Sequence, residues 1–119
     1  MNPRVVRRLL DALEAARNIL QFTDGQTAQS YGHARLIHAA VQHELMIIGE
    51  ALNAALRAEP HLTRKIPTLL EWVGLRNVLI HVYSDVNPRI VWKTATTEIP
   101  ELIETLERLL EDFGNEEEQ

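Results

Sequence analysis

Apolar positions recur at intervals of three and four along most of the chain, and no segment alternates with period two for long enough to insist on a strand. Pro3 sits where a first helical turn tolerates proline. Val5, Leu9, Ala12, Leu13, Ala16 and Leu20 then form one stripe and Thr23-Asp24-Gly25 stops it, which predicts a helix over about 3 to 22. From Ala28 to Ala58 no proline intervenes, and Tyr31, Ala34, His38, Val41, Leu45, Ile48, Leu52 and Ala55 keep strict 3-4 spacing. A second apolar line, Ile37, Ala40, Ile47, Ala51 and Ala54, runs beside the first, so one long helix with apolar surface for more than one neighbour is expected. At about 1.5 Å per residue it would reach about 46 Å, well beyond the about 26 Å of twice the compact radius for a chain this size. The excess has two outlets, a kink at Gly49 or pairing with a second subunit.

Pro60 and Pro67 bracket a connector, after which Leu69, Leu70, Val73 and Leu79 or Ile80 predict a third helix ending close to His81. Asn87-Pro88 reads as an N-cap with proline at N1, opening a short helix through Ile90, Val91 and Ala95. Thr97 is placed to cap a last helix with Pro100 in its first turn and Ile99, Leu102, Leu106, Leu109 and Phe113 inside. The fold class is all-α: an antiparallel bundle of four to five helices with short loops and one long central helix. A single domain over 1–113 is expected, followed by an acidic, disordered tail over 114–119.

Composition narrows this picture. With 119 residues, 45% apolar and 24% charged, the chain has the makings of one ordinary hydrophobic core. The absence of cysteine removes thiol nucleophiles, cysteine zinc sites and disulfides, and a cytoplasmic setting is expected. The longest uncharged apolar run, Leu45 to Gly49, falls far short of the roughly 20 residues of a membrane helix. The start Met-Asn-Pro-Arg lacks an apolar signal region, so neither a membrane association nor export is expected. The net charge is −5, yet the acids are concentrated: beyond residue 97 nine of them face Arg108 alone, which leaves the rest of the chain mildly basic. Long-range steering of a polyanion would be weak while a local anion site remains allowed.

Several chemistries drop out for want of their motifs: no G-x-G-x-x-G, no P-loop, no H-E-x-x-H and no Glu-x-x-His pairs are present. His33, His38 and His43 fall five apart, so on one helix neighbours would point about 140° apart and could not share an ion. No metal or other cofactor is expected. His38, on the apolar stripe, reads as a hydrogen-bonded core or interface histidine.

The segment Arg76-Asn77-Val78-Leu79-Ile80-His81-Val82-Tyr83 gathers a guanidinium, an amide, an imidazole and a phenol at the end of an otherwise apolar helix. Asn77 and His81 are i and i+4, so the amide can steady the ring. Arg76 and Tyr83, seven apart, share another face. Arg76 and His81 diverge by about 140° around a helix, so they line one cleft only if the helix loosens near His81 or a second copy completes the site. Histidine can move a proton near neutrality and arginine matches phosphoryl oxygens. RNA cleavage needs both: a base for the 2′-hydroxyl and positive charge for the crowded phosphate. A structural account is equally open on spacing alone, with Arg76 in a surface ion pair, His81 complementing a helix C-terminus and Tyr83 a core ring with a wet hydroxyl.

Arg, four residues, His, one residue, Tyr at the end of a helix resembles the HepT family of HEPN-type toxins, with Arg76, His81 and Tyr83 matching position for position. Ile48-Gly49-Glu50-Ala51 and the stretch from Val91-Trp92 through Ile99-Pro100-Glu101-Leu102 are similar to the family as well. The resemblance implies the toxin of a type VII-like toxin–antitoxin pair, a homodimeric, metal-independent endoribonuclease whose paired motifs meet at the dimer interface. The implied roles are His81 as general acid or base, Arg76 as phosphate clamp and Asn77 as a polar neighbour steadying the site. Glu50 either approaches the motif from a facing helix or caps a surface turn. The implied partners are the RNA substrate and an MntA-like minimal nucleotidyltransferase antitoxin that silences the toxin by transferring AMP to Tyr83. Some HEPN-like proteins are instead non-catalytic helical companions or nucleotide-binding modules of such nucleotidyltransferases, which is the rival implication.

Overall fold

A computed structural model of the chain describes residues 1–82 and 86–118, with side chains for 1–80 and 86–115. Among the described residues there are only helices: α1 (Pro3–Thr23), α2 (Ala28–Gly32), α3 (Arg35–Ala58), α4 (Leu62–Lys65), α5 (Leu69–Val82), α6 (Pro88–Lys93) and α7 (Ile99–Glu118), with a π-helical turn over Thr94–Glu98 joining the last two. α3 is central, packed against α1 on one side and α5 on the other, while α7 lies along α1. Asn18 on α1 reaches Glu44 on α3, and Arg8 shares a cleft with Glu50 and Ala51 further along, so the two helices run antiparallel. α3 and α5 are antiparallel too, with Leu45 beside Leu75 and Val78, and Gly49 against Trp72 and Arg76. The molecule measures 50 × 29 × 19 Å because its longest helices lie lengthwise. No described helix is long and apolar enough to cross a membrane.

The apolar stripes form the core. Val5, Leu9, Ala12, Leu13, Ala16, Val41, Leu45, Ile48, Leu52, Ala55, Ile99, Leu102, Leu106, Leu109 and Phe113 are all buried. The register errs at two places: Ile19 is buried where Leu20 was expected, and on α5 Trp72 is buried while Leu70, expected inside, is 62% exposed. Of the two positions left open on α5, Leu79 is the buried one and Ile80 is not.

Local chemistry explains the helix ends. Asn2 caps α1 by accepting from the Arg4 N–H at 2.8 Å, and Gly25 takes φ +78° just past its end, a conformation glycine adopts without penalty. Asn87 caps α6, as expected, accepting from Arg89 N–H at 2.9 Å with Pro88 in the first turn.

Three expectations are corrected. The helix expected over 28 to 58 is two helices, broken after Gly32. The Tyr31 carbonyl, which a continuous helix would give to residue 35, instead accepts from Ala34 N–H and the His38 ring. Thr27 and Ser30 cap each other at the start of the short α2, and Gly32 is a poor helix former. Beyond the break α3 runs unbroken through Gly49. The connector between Pro60 and Pro67 winds into α4, whose Leu62 is buried together with Ile66. Finally, Thr97 opens no new helix. Pro100 offers no N–H to residue 96 and its ring crowds that carbonyl, and the wider π turn just before it, closed by Ile99 N–H on Thr94 C=O, relieves the conflict without ending the helix. Thr94, Thr96 and Thr97 hydroxyls donate back to the carbonyls of Ile90, Trp92 and Lys93.

Candidate active site

The chemistry-bearing segment occupies the second half of α5, and the close approach of α5 to α3 decides what surrounds it. At Gly49 the helices meet almost backbone to backbone. A Cβ built there would fall on the Cβ of Arg76, 2.9 Å from its Cγ and 3.0 Å from the main-chain oxygen of Trp72. The Arg76 stem therefore lies across Gly49 and its guanidinium emerges beside the next residue, Glu50. Nη2 stands 3.6 Å from Glu50 Oε1, Nη1 donates to Asn77 Oδ1 at 3.0 Å, and Nε is buried with no partner among the described residues. Arg76 is 29% exposed and Glu50 58%. An ion pair this wet contributes at most about 1 kcal/mol, so an incoming phosphate can displace the carboxylate and keep the guanidinium.

Of the two placements open for Glu50, it takes the facing helix: it lies within α3 and caps no turn. Asn77 is exposed and engages Arg76 through its carbonyl oxygen. The backbone of α5 stays helical through Val82. Positions 76 and 81 therefore remain about 140° apart around one axis, and no loosening of that helix up to Val82 brings them together. The His81 side chain and all of Tyr83 lie outside the described residues.

On one flank of the Arg76–Glu50 pair, α1 and α3 enclose a cleft lined by Arg8, Asp11, Glu14, Asn18, Glu44 and Glu50. Arg8 thus brings a cation near the site while standing 4.0 Å from Asp11 Oδ2; Arg7 is committed to the same carboxylate at 2.7 Å, and that hydrogen bond and charge raise its pKa further. On the other flank Leu45, Leu75, Val78, Val86, Ile90 and Val91 line an apolar hollow, with Val78 and Ile90 at least half exposed. Away from the site, the His38 ring bonds the Tyr31 carbonyl and packs on the Tyr31 ring, centroids 4.4 Å apart. His33 ends α2 rather than sharing a helix with His38 and His43. Sequence reasoning passed over the contact between Gly49 and Arg76. A glycine in mid-helix with no turn to make was the available signal, since it costs about 1 kcal/mol against alanine and so calls for a packing reason.

A guanidinium held at the surface by an all-helical scaffold, on the same helix as a histidine position, defines a small domain suited to phosphate chemistry. A family model described as Ribonuclease HepT-like matches residues 12–109. The chain is 33% identical over 112 residues to "Putative RNase MJ1216" of Methanocaldococcus jannaschii, an alignment covering 92% of this chain and 90% of that protein. It is 34% identical over 101 residues, 85% of this chain and 91% of the relative, to "Probable ribonuclease HepT" of Thermococcus cleftensis. A third relative, "Putative RNase TTE0752" of Caldanaerobacter subterraneus, is 30% identical over 99 residues, covering 83% and 88% of the two chains. No solved structure shows significant similarity. The chain belongs to the HepT-like ribonuclease family, and its class of activity is that of a ribonuclease.

Proposed function

We propose that this ribonuclease is a metal-independent endoribonuclease that cuts RNA through the Arg76-x(4)-His81-x-Tyr83 motif and works as a cytoplasmic homodimer. The observation that carries this is the Arg76 guanidinium, anchored by its stem over Gly49 yet open to solvent at its head, on the helix that also bears His81. In the first step a neutral imidazole takes the proton of a ribose 2′-hydroxyl, whose oxygen attacks the adjacent phosphorus. The 5′-oxygen of the next nucleotide leaves with a proton from an imidazolium, giving a 2′,3′-cyclic phosphate and a free 5′-hydroxyl. Arg76 balances the charge that gathers on the equatorial oxygens, and Asn77 and Glu50 hold it in place until the phosphate arrives. Because positions 76 and 81 point apart on one helix, a second copy facing the first would let each motif complete the other. The apolar surface at Val78 and Ile90 beside the motif supports such pairing.

In this reading the chain is the toxin of a type VII-like toxin–antitoxin pair, and an MntA-like nucleotidyltransferase silences it by placing AMP on the Tyr83 phenol. The added phosphodiester would sit two residues from His81 and compete with RNA for Arg76. The deciding experiment incubates wild type and His81→Ala, matched for folding and dimer mass, with labelled total RNA in EDTA. Cleavage by the wild type that vanishes in the variant is the expected result. Equal inactivity of the two, with Tyr83 unmodified, would overturn it in favour of a non-catalytic, nucleotide-binding companion of a nucleotidyltransferase.

A further inference from the structure

Gly49 faces atoms that cannot swing aside. The Cβ and Cγ of Arg76 are the root of that side chain, and the Trp72 oxygen is main chain of α5. A methyl group at position 49 could be accommodated only by moving α5 away from α3 or turning it about its own axis. Either movement carries the guanidinium with it, because Nε is already buried and the two terminal nitrogens are set against Asn77 and Glu50. It carries position 81 as well, since the helix is unbroken between them. Backbone freedom is not what the glycine supplies, because its φ is not positive. By helix propensity alone alanine would be the better residue in the middle of α3. By contrast Gly74, two residues before Arg76 on α5, has nothing among the described residues within 4 Å of its would-be Cβ.

We propose that Gly49 is a positioning residue for the cleavage reaction: by admitting α5 to contact with α3 it sets where the Arg76 guanidinium meets the RNA phosphate. The inference rests on the ribonuclease reading above, and its test separates the two. Steady-state cleavage of labelled RNA in EDTA is measured for wild type, Gly49→Ala, Gly74→Ala, Arg76→Gly and Gly49→Ala/Arg76→Gly. In parallel, the Nε–Hε signal of Arg76 is followed by NMR in protein labelled with 15N-arginine and assigned by its loss in Arg76→Gly.

A displacement of about 1 Å at a reacting centre costs about 10²-fold in rate. Gly49→Ala is therefore expected to lower kcat by about 10²-fold, with KM within about threefold and the Arg76 Nε–Hε signal moved, while Gly74→Ala stays within about twofold of wild type. In the Arg76→Gly background, adding Gly49→Ala should change kcat by less than about twofold, because the residue acts through the arginine. Near-wild-type cleavage by Gly49→Ala with an unmoved Arg76 signal would overturn the proposal. So would an equal loss in the background lacking Arg76. Should the wild type not cleave RNA at all, the ribonuclease reading fails, and the Nε–Hε comparison still decides whether Gly49 places Arg76. Should Gly49→Ala not fold, the double variant carries the test. Folding restored by removal of the Arg76 stem supports the contact, and a double variant that also fails to fold overturns it.

Discussion

Replacing Arg76 by alanine should separate catalysis from folding. The substitution deletes the stem carbons beyond Cβ, part of which lies across Gly49; at about 0.8 kcal/mol for each buried methylene, that is a loss of about 1.5 kcal/mol. It also removes Nε, which is buried with no hydrogen-bond partner among the described residues, and relieving such a group returns about 1 to 3 kcal/mol. The exposed ion pair with Glu50 adds little on either side. The net change lies between a loss of about 0.5 and a gain of about 1.5 kcal/mol, and for a chain of this length the melting temperature should move by no more than about 6 °C. Activity should respond differently. Loss of one charged donor aimed at transition-state charge costs about 10²- to 10³-fold in kcat. Arg76→Lys should recover only part of that, because an ammonium cannot span two phosphoryl oxygens as a guanidinium does. The assay is cleavage of labelled RNA in EDTA beside thermal melts of the same preparations. Activity within about threefold of wild type would refute the clamp, and a fall in melting temperature beyond about 10 °C would show that Arg76 is instead a structural strut.

Tyr31 is 1% exposed, its hydroxyl has no partner among the described residues, and burial pushes its pKa up to about 12. Tyr31→Phe should therefore raise the melting temperature near neutral pH by about 4 °C. The folded state holds the phenol proton more tightly than the unfolded chain, whose tyrosine titrates near 10. This contribution is thus complete below about pH 10 and lost, at about 1.4 kcal/mol per pH unit, as pH rises toward 12. Urea melts across that window should be steeper in pH for wild type than for Tyr31→Phe, and parallel curves would contradict the burial. Asn87→Ala removes the cap of α6 and should cost about 1 kcal/mol, a drop of about 4 °C; an unchanged melt would mean the cap contributes nothing. Tyr83→Phe should leave RNA cleavage within about twofold of wild type and abolish silencing by a co-expressed nucleotidyltransferase. Silencing of that variant through AMP transfer would sink the assignment of Tyr83.

Helix class and the inner face of most helices were legible in the chain because burial imposes a 3.6-residue period that local sequence can display. Prolines and caps at Pro3, Asn87 and Pro88 marked ends for a similarly local reason. Where two local signals competed, the reading failed. Gly32 inside an unbroken apolar stripe gave way to a break because the His38 ring, seven residues from Tyr31, takes up its carbonyl. Pro100 in a helical pattern suggested a new start, whereas the wide turn over Thr94–Glu98 let the helix continue. At Leu20, Leu70 and Ile80 an apolar residue sat beside the true core position, and only packing chose between them.

A helical bundle, and an arginine, an amide, a histidine and a tyrosine within eight residues of one another, could be read from the chain alone. These are properties of neighbours along the chain, set by periodicity and side-chain type. Helix packing, by contrast, brings Glu50 to face Arg76, sets the arginine stem over Gly49, and leaves the Arg76 head open to solvent while its Nε is buried. Residues 49 and 76 meet because two helices cross at a point where one side chain is missing. The distance between helix axes follows from the packing of whole surfaces, which no short stretch of sequence encodes.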